Sequence, residues 1–126
     1  MEGQGASAPD AAREQKEKDC IMQSPACLLV RAEVRDEVDV PKFDTWYKNE
    51  HLPDAKAAFS VVRAWRCWSS INPGVHHAYY EFPSEEAALA VLDTDAIKAL
   101  IKEFDETWGD RVYRTREILK VAQRID

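Results

Sequence analysis

From Cys27 to Arg35 the chain alternates with a period of two: Leu28, Val30, Ala32 and Val34 fall on one side, and Arg31, Glu33 and Arg35 fall on the other. Successive side chains of an extended backbone leave opposite faces, so this pattern predicts a strand with one buried face. The period then lengthens. Phe43, Trp46, Tyr47 and then Glu50 or His51 recur at helical spacing, behind Asp39 as a cap and Pro41 in the first turn. Pro53 disfavours helical geometry at Leu52, so the regular helix should end or bend there. Residues 61–70, rich in valine and tryptophan, run into the turn residues Ile71, Asn72, Pro73 and Gly74, and the strand pattern HHAYYEF follows over 76–82. These two segments predict a hairpin. Pro83 and Ser84 open a helix carrying Ala87, Ala88, Leu89, Val91 and Leu92, and Asp93, Thr94 and Asp95 break and recap it. Ile97, Leu100, Ile101, Phe104 and Trp108 form the next apolar stripe, closed by Gly109. Residues 111–121 read as a final strand whose weak alternation leaves a helical tail open.

The resulting order, β, α, β, β, α, β, is the ferredoxin-like α+β arrangement: one antiparallel sheet with helices on one face. Its other face would expose Leu29, Tyr79 and Trp65 among charges. A second copy laid against that face would cover it, which predicts a homodimer with Arg31, Glu33, Arg35, His77 and Glu81 across the interface or at its rim. A chain of 126 residues suffices for one such domain. Residues 1–25, with Gly, Ser, Pro and charge but few large apolar side chains, read as a flexible N-terminal tail, leaving 26–126 as the domain.

Composition narrows the function classes. A net charge of −6 disfavours nucleic acid and anionic membranes as partners. The apolar runs are too short for a membrane span and the first residues lack a secretory core, so a cytoplasmic location is expected. Cys20, Cys27 and Cys67 are odd in number with no C-x-x-C pair, which reads as reduced thiols and gives no support to a disulfide framework or a structural zinc. No glycine-rich phosphate loop, nucleophile triad or strong metal signature stands in the sequence, and no metal or cofactor is expected.

A helix reading aromatic-x-x-x-Glu-His-x-Pro after the first strand, carried by Phe43, Trp46, Tyr47, Glu50, His51, Leu52 and Pro53, resembles the EthD-like branch of the dimeric α/β barrel superfamily over about residues 26–121. That superfamily includes cofactor-independent polyketide cyclases, lactone isomerases, small monooxygenases and members with no assigned activity. The resemblance implies a small-molecule pocket between the helices and the sheet of one subunit, with His51 in it.

In that setting His51 can act as a general acid or base, or its ring can cap carbonyls at the helix end. His76 and His77 are neighbours on a strand and leave opposite faces, so only His76, in register with Ala78, Tyr80 and Phe82, can join His51. Both also fit a polar strand end beside a turn. Tyr47 and Tyr80 can donate phenolic hydrogen bonds to an oxygen that gains charge, or can simply fill core. Trp65 and Trp68 alternate, one toward the pocket and one toward the dimer interface, with core filling as their default use. With Phe43 and Trp46 they complete the apolar part of the expected ligand site. Arg63 and Arg66 can bind an acidic group or solvate a strand edge. Glu50 and His51 diverge by about 100° on a helix, which speaks against a shared metal with His76. Cys67 reads as an inert buried thiol. The expected function is binding of a small aromatic or polyketide-like molecule by a pocket of Tyr47, His51, His76, Tyr80 and a tryptophan, with proton transfer and no cofactor. A non-catalytic ligand-binding or interaction homodimer is one alternative. A haem-handling or monooxygenase-type member, with His51 or His76 as an axial ligand, is another.

Overall fold

A computed structural model describes residues 25–126; the tail reading and Cys20 lie outside the described residues. Four strands, β1 (Ala26–Val34), β2 (Arg63–Trp68), β3 (Val75–Phe82) and β4 (Val112–Lys120), form one antiparallel sheet in the order β2-β3-β1-β4. Four α-helical segments cover one face: α1 (Val40–Trp46), α2 (Leu52–Phe59), α3 (Glu85–Val91) and α4 (Asp95–Trp108). This is the expected α+β ferredoxin-like fold.

Register decides which side chains meet. Val30 pairs with Ala78 and Arg116, Ala32 with His76 and Arg114, and Leu28 with Tyr80 and Ile118. Ala64 pairs with Tyr80, and Trp68 with His76. The helix-facing layer is therefore Leu28, Val30, Ala32 and Val34 from β1, His76, Ala78, Tyr80 and Phe82 from β3, Ala64, Arg66 and Trp68 from β2, and Arg114, Arg116 and Ile118 from β4. Phe43, Tyr47, Phe59, Ile97, Phe104 and Trp108 pack down on it from the helices. His77, Tyr79 and Glu81 face the open side with Arg63, Trp65 and Cys67. Cys67 is exposed there, not buried as expected, because odd positions of β2 leave the helix-covered face.

Local chemistry explains the element ends. Ser84 accepts the Ala87 N–H at 3.1 Å, and Thr94 accepts the Ile97 N–H at 3.3 Å, so each helix begins on a side-chain cap. Asp39 is a different case. It precedes α1 but makes no side-chain cap; its buried carboxylate accepts from Arg111 at 3.3 Å, while Asp36 accepts the Val38 N–H at 3.1 Å one turn earlier. Gly74 allows a close approach, since a Cβ there would sit 2.8 Å from the Val34 carbonyl oxygen. No helix among the described residues is long and apolar enough to cross a membrane.

The helix containing Pro53 does not end at Leu52. It continues through one π-helical turn, Tyr47–His51, directly into α2, where Pro53 takes a first-turn position that needs no N–H. The wider turn is closed by Leu52 N–H donating to the Tyr47 carbonyl, five residues back, and it absorbs the hydrogen bond that proline cannot make.

Candidate functional site

The π turn places the histidine. In a regular α-helix, residues five apart lie about 140° apart around the axis and cannot touch. Here His51 stacks on Trp46, with ring centroids 4.7 Å apart and planes 21° apart, and meets Tyr47 edge-on at 4.8 Å and Phe104 of α4 at 5.6 Å. The imidazole is turned inward and only 7% exposed. Its Nδ1 is buried without a hydrogen-bond partner. Burial first, and the Arg114 charge second, push its pKa down to about 4, so the ring is neutral around pH 7.

His51 forms part of a cleft between α2, α4 and the sheet. Leu28, Val30, Phe59, Ile97, Leu100 and Ile101 give apolar walls, and the polar side chains are His51, Tyr80, Arg114 and Arg116. The interior space is about 30 Å³, or about 330 Å³ when the open mouth is included. The smaller figure leaves room for water but not for a ring-sized guest. Behind the cleft wall the Tyr80 hydroxyl lies 2.8 Å from the Tyr47 hydroxyl. Burial is the main reason that the Tyr47 pKa is raised to about 12 and that of Tyr80 well above its ordinary value, so both phenols keep their protons across the physiological range.

A second polar group sits on the β2 side of the core. Asp44 accepts from Trp68 Nε1 at 2.8 Å and from Arg66 at 2.7 Å, bonds that hold its carboxyl below the usual carboxylate range. Arg66 also reaches His76 Nε2 at 3.4 Å. A guanidinium only donates, so this contact makes Nε2 the acceptor and leaves the His76 proton on Nδ1. His76 is fully buried between Phe43 at 5.2 Å, Tyr47 at 4.5 Å and Trp68 at 4.9 Å, and burial followed by the Arg66 charge lowers its pKa to about 3.

Of the residues singled out in the sequence, His51 and Tyr80 meet at the cleft, and Tyr47 stands behind them. His76 lies beyond Tyr47 in the packed core, on the same face of the sheet but outside the cleft lining. Phe43 and Trp46 pack into the aromatic core with Phe104 and Trp108. Trp68 faces the helices but is engaged by Asp44, whereas Trp65 lies on the open face, stacked on Tyr79 at 5.1 Å. Arg63 is on that open face too, 3.2 Å from Glu81. Glu50 is exposed, away from His51. No group of three or more His, Cys, Asp or Glu gathers among the described residues as a metal site.

Arg114 and Arg116 were not anticipated. Their signal was present, since Val112, Arg114, Arg116 and Ile118 share one parity in RVYRTREILK. Two arginines at core-parity positions are what weakens the alternation of that segment. Arg114 lies over the Phe104 ring at 3.9 Å, its side chain only 11% exposed, and reaches the exposed Asp105 carboxylate at 3.1 Å.

Comparison with known proteins rests on this geometry alone, as no family model matches the sequence and no curated protein is significantly similar to it. Solved structures do match. An EthD family protein from Bacillus halodurans aligns over 73% of this chain and 96% of its own, with a TM-score of 0.56 and 18% identity. The fold is that of the EthD-like proteins. SnoaB, a cofactor-independent oxygenase from Streptomyces nogalater, aligns over 81% of this chain and 97% of its own, with a TM-score of 0.60 and 11% identity. HapK from Hahella chejuensis aligns over 80% and 97%, with a TM-score of 0.59 and 14% identity. The resemblance to the EthD-like branch of the dimeric α/β barrel superfamily therefore holds at the level of the fold.

Proposed function

We propose that the protein binds a small aromatic or polyketide-like molecule in the cleft beneath α4 and moves a proton on it without a cofactor, working as a homodimer joined through the open face of its sheet. One observation carries the proposal: a neutral, inward-facing His51 with an unpartnered Nδ1 stands in an apolar wall beside the Tyr47–Tyr80 hydroxyl pair. A neutral imidazole can take a proton from an acidic carbon or hydroxyl of a guest. If Tyr47 donates to Tyr80, the Tyr80 proton is free to donate to the guest's oxygen as that oxygen gains charge, and neither phenol ionises in the process. A fold shared with a cofactor-independent oxygenase is compatible with such chemistry. The homodimer is supported by the partly exposed Trp65 and its stack on Tyr79, which lie on the helix-free face.

Size favours a second reading, a ligand-binding homodimer without catalysis. An interior of about 30 Å³ does not hold a fused-ring guest, for which pockets of roughly 300 Å³ or more are usual. A guest of that class has to lie mostly in the open mouth. The two readings part in a deuterium-exchange assay with compact 1,3-dicarbonyl phenols in D₂O. Under the catalytic reading the protein accelerates exchange at the acidic carbon, His51→Gln abolishes the acceleration and Tyr80→Phe reduces it. Binding without accelerated exchange, or equal exchange in His51→Gln, rejects catalysis and leaves the binding dimer.

A further inference from the structure

We propose that the cleft ligand is an acid: a carboxylate-bearing molecule whose anionic group is held by Arg116 and Arg114 while its apolar body lies along Leu100, Ile101 and Ile97. This rests on the cleft being the ligand site. It names the substrate class that the reading above leaves open.

The charge pattern is the first support. The chain carries a net charge of −6, yet the cleft lining contains two arginines and no carboxylate. A positive lining in an acidic protein concentrates anions at that opening and repels them elsewhere. Position is the second. Arg114 and Arg116 are two residues apart on β4, both on the helix-facing side, so their backbones are about 7 Å apart and both side chains line the cleft. Arg114 is the inner one, and its only ion pair among the described residues is the rim carboxylate of Asp105, which is 64% exposed. Arg116 is exposed at the mouth and forms no ion pair among the described residues. Five donors on each guanidinium, in a planar fork, match a carboxylate.

Energetics point the same way. Burial, and then the charge of Arg116, lower the pKa of Arg114, so the two cations oppose one another across the cleft lining. An anion placed between them relieves that repulsion. It also offsets the Arg114 charge, the lesser of the two causes after burial that hold the His51 pKa down, so an acidic guest makes the imidazole a better proton acceptor than a neutral guest of the same shape does. Recognition and the assigned base are coupled through Arg114. A neutral guest of the same shape has neither effect.

The test uses the full chain with benzoate and benzamide as matched probes, followed by NMR shifts of the His51 ring and by titrated affinity. Benzoate is expected to bind at least about tenfold more tightly than benzamide, from charge-assisted hydrogen bonds that the amide cannot make. Arg116→Gln, at an exposed position with no ion pair among the described residues, should bring benzoate to the level of benzamide, and Arg114→Lys should do so in part. Lys98→Gln, which removes one charge from the outer side of α4, should change nothing. His51 should titrate at a higher pH with benzoate bound than with benzamide bound. If both probes shift His51 with equal affinity, or if Arg116→Gln and Lys98→Gln act alike, the acid is overturned while the pocket stands. If neither probe reaches His51, the pocket reading fails and this proposal with it.

Discussion

Two buried imidazoles make folding itself pH-dependent, and the size of the effect follows from burial. The pKa of His51 is lowered to about 4 and that of His76 to about 3, both chiefly by loss of solvent, whereas in the unfolded chain each returns to 6.5. Both folded values lie below the unfolded one. Between them the unfolded state binds more protons, so stability is full above about pH 6.5 and falls as the pH drops toward the folded values. At about pH 5 the native protein has both rings neutral and the unfolded chain has both nearly fully charged. Each histidine then costs about 2 kcal/mol, from about 1.4 kcal/mol for every pH unit below the unfolded pKa. Together they remove about 4 kcal/mol from a domain stability of roughly 5–15 kcal/mol. Urea unfolding followed by tryptophan fluorescence, at pH values from about 7.5 to 5, measures this directly. The non-titrating variants His51→Gln and His76→Gln should each remove about half of the pH slope, whatever they do to stability at neutral pH. A stability that stays level from pH 7 to 5, or a slope that survives both substitutions, would refute the claim that these rings are buried and neutral.

The hydroxyl pair offers a thermodynamic cycle: Tyr80→Phe strands the buried Tyr47 hydroxyl and should cost about 1–3 kcal/mol, while adding Tyr47→Phe should cost little more, giving a coupling of about 1 kcal/mol by urea denaturation. Additive losses would mean that the two hydroxyls do not share a bond. Gly74→Ala pushes a methyl against the Val34 carbonyl 2.8 Å away and should lower stability by about 1–3 kcal/mol, read as a drop in Tm. Trp65→Arg places a charge on the open sheet face; sedimentation should show a wild-type dimer and a monomeric variant, and a monomeric wild type removes the homodimer from the proposal.

Much of the architecture was legible in the chain because it depends on local periodicity. Two-residue alternation in 27–35 and 76–82, helical spacing in 97–108 and the caps at Ser84 and Thr94 each report a backbone state that neighbouring residues impose. The inward direction of His76 and Tyr80 and the outward one of His77 and Tyr79 followed from parity alone. Tertiary structure decided what parity cannot see. Pro53 marks a bend in sequence, but only packing of Trp46 and His51 against Phe104 shows why the chain takes a π turn and continues. Asp39 looked like a cap and serves instead as the partner of Arg111, 72 residues later. Trp68 and His76 share a face with the cleft yet are consumed by Asp44, Arg66 and Phe43. Arg114 and Arg116 reach the cleft because β4 lies beside β1. Periodicity tells each residue which side to take, but the neighbours it finds there are set by strand order and register, which join segments far apart in the chain.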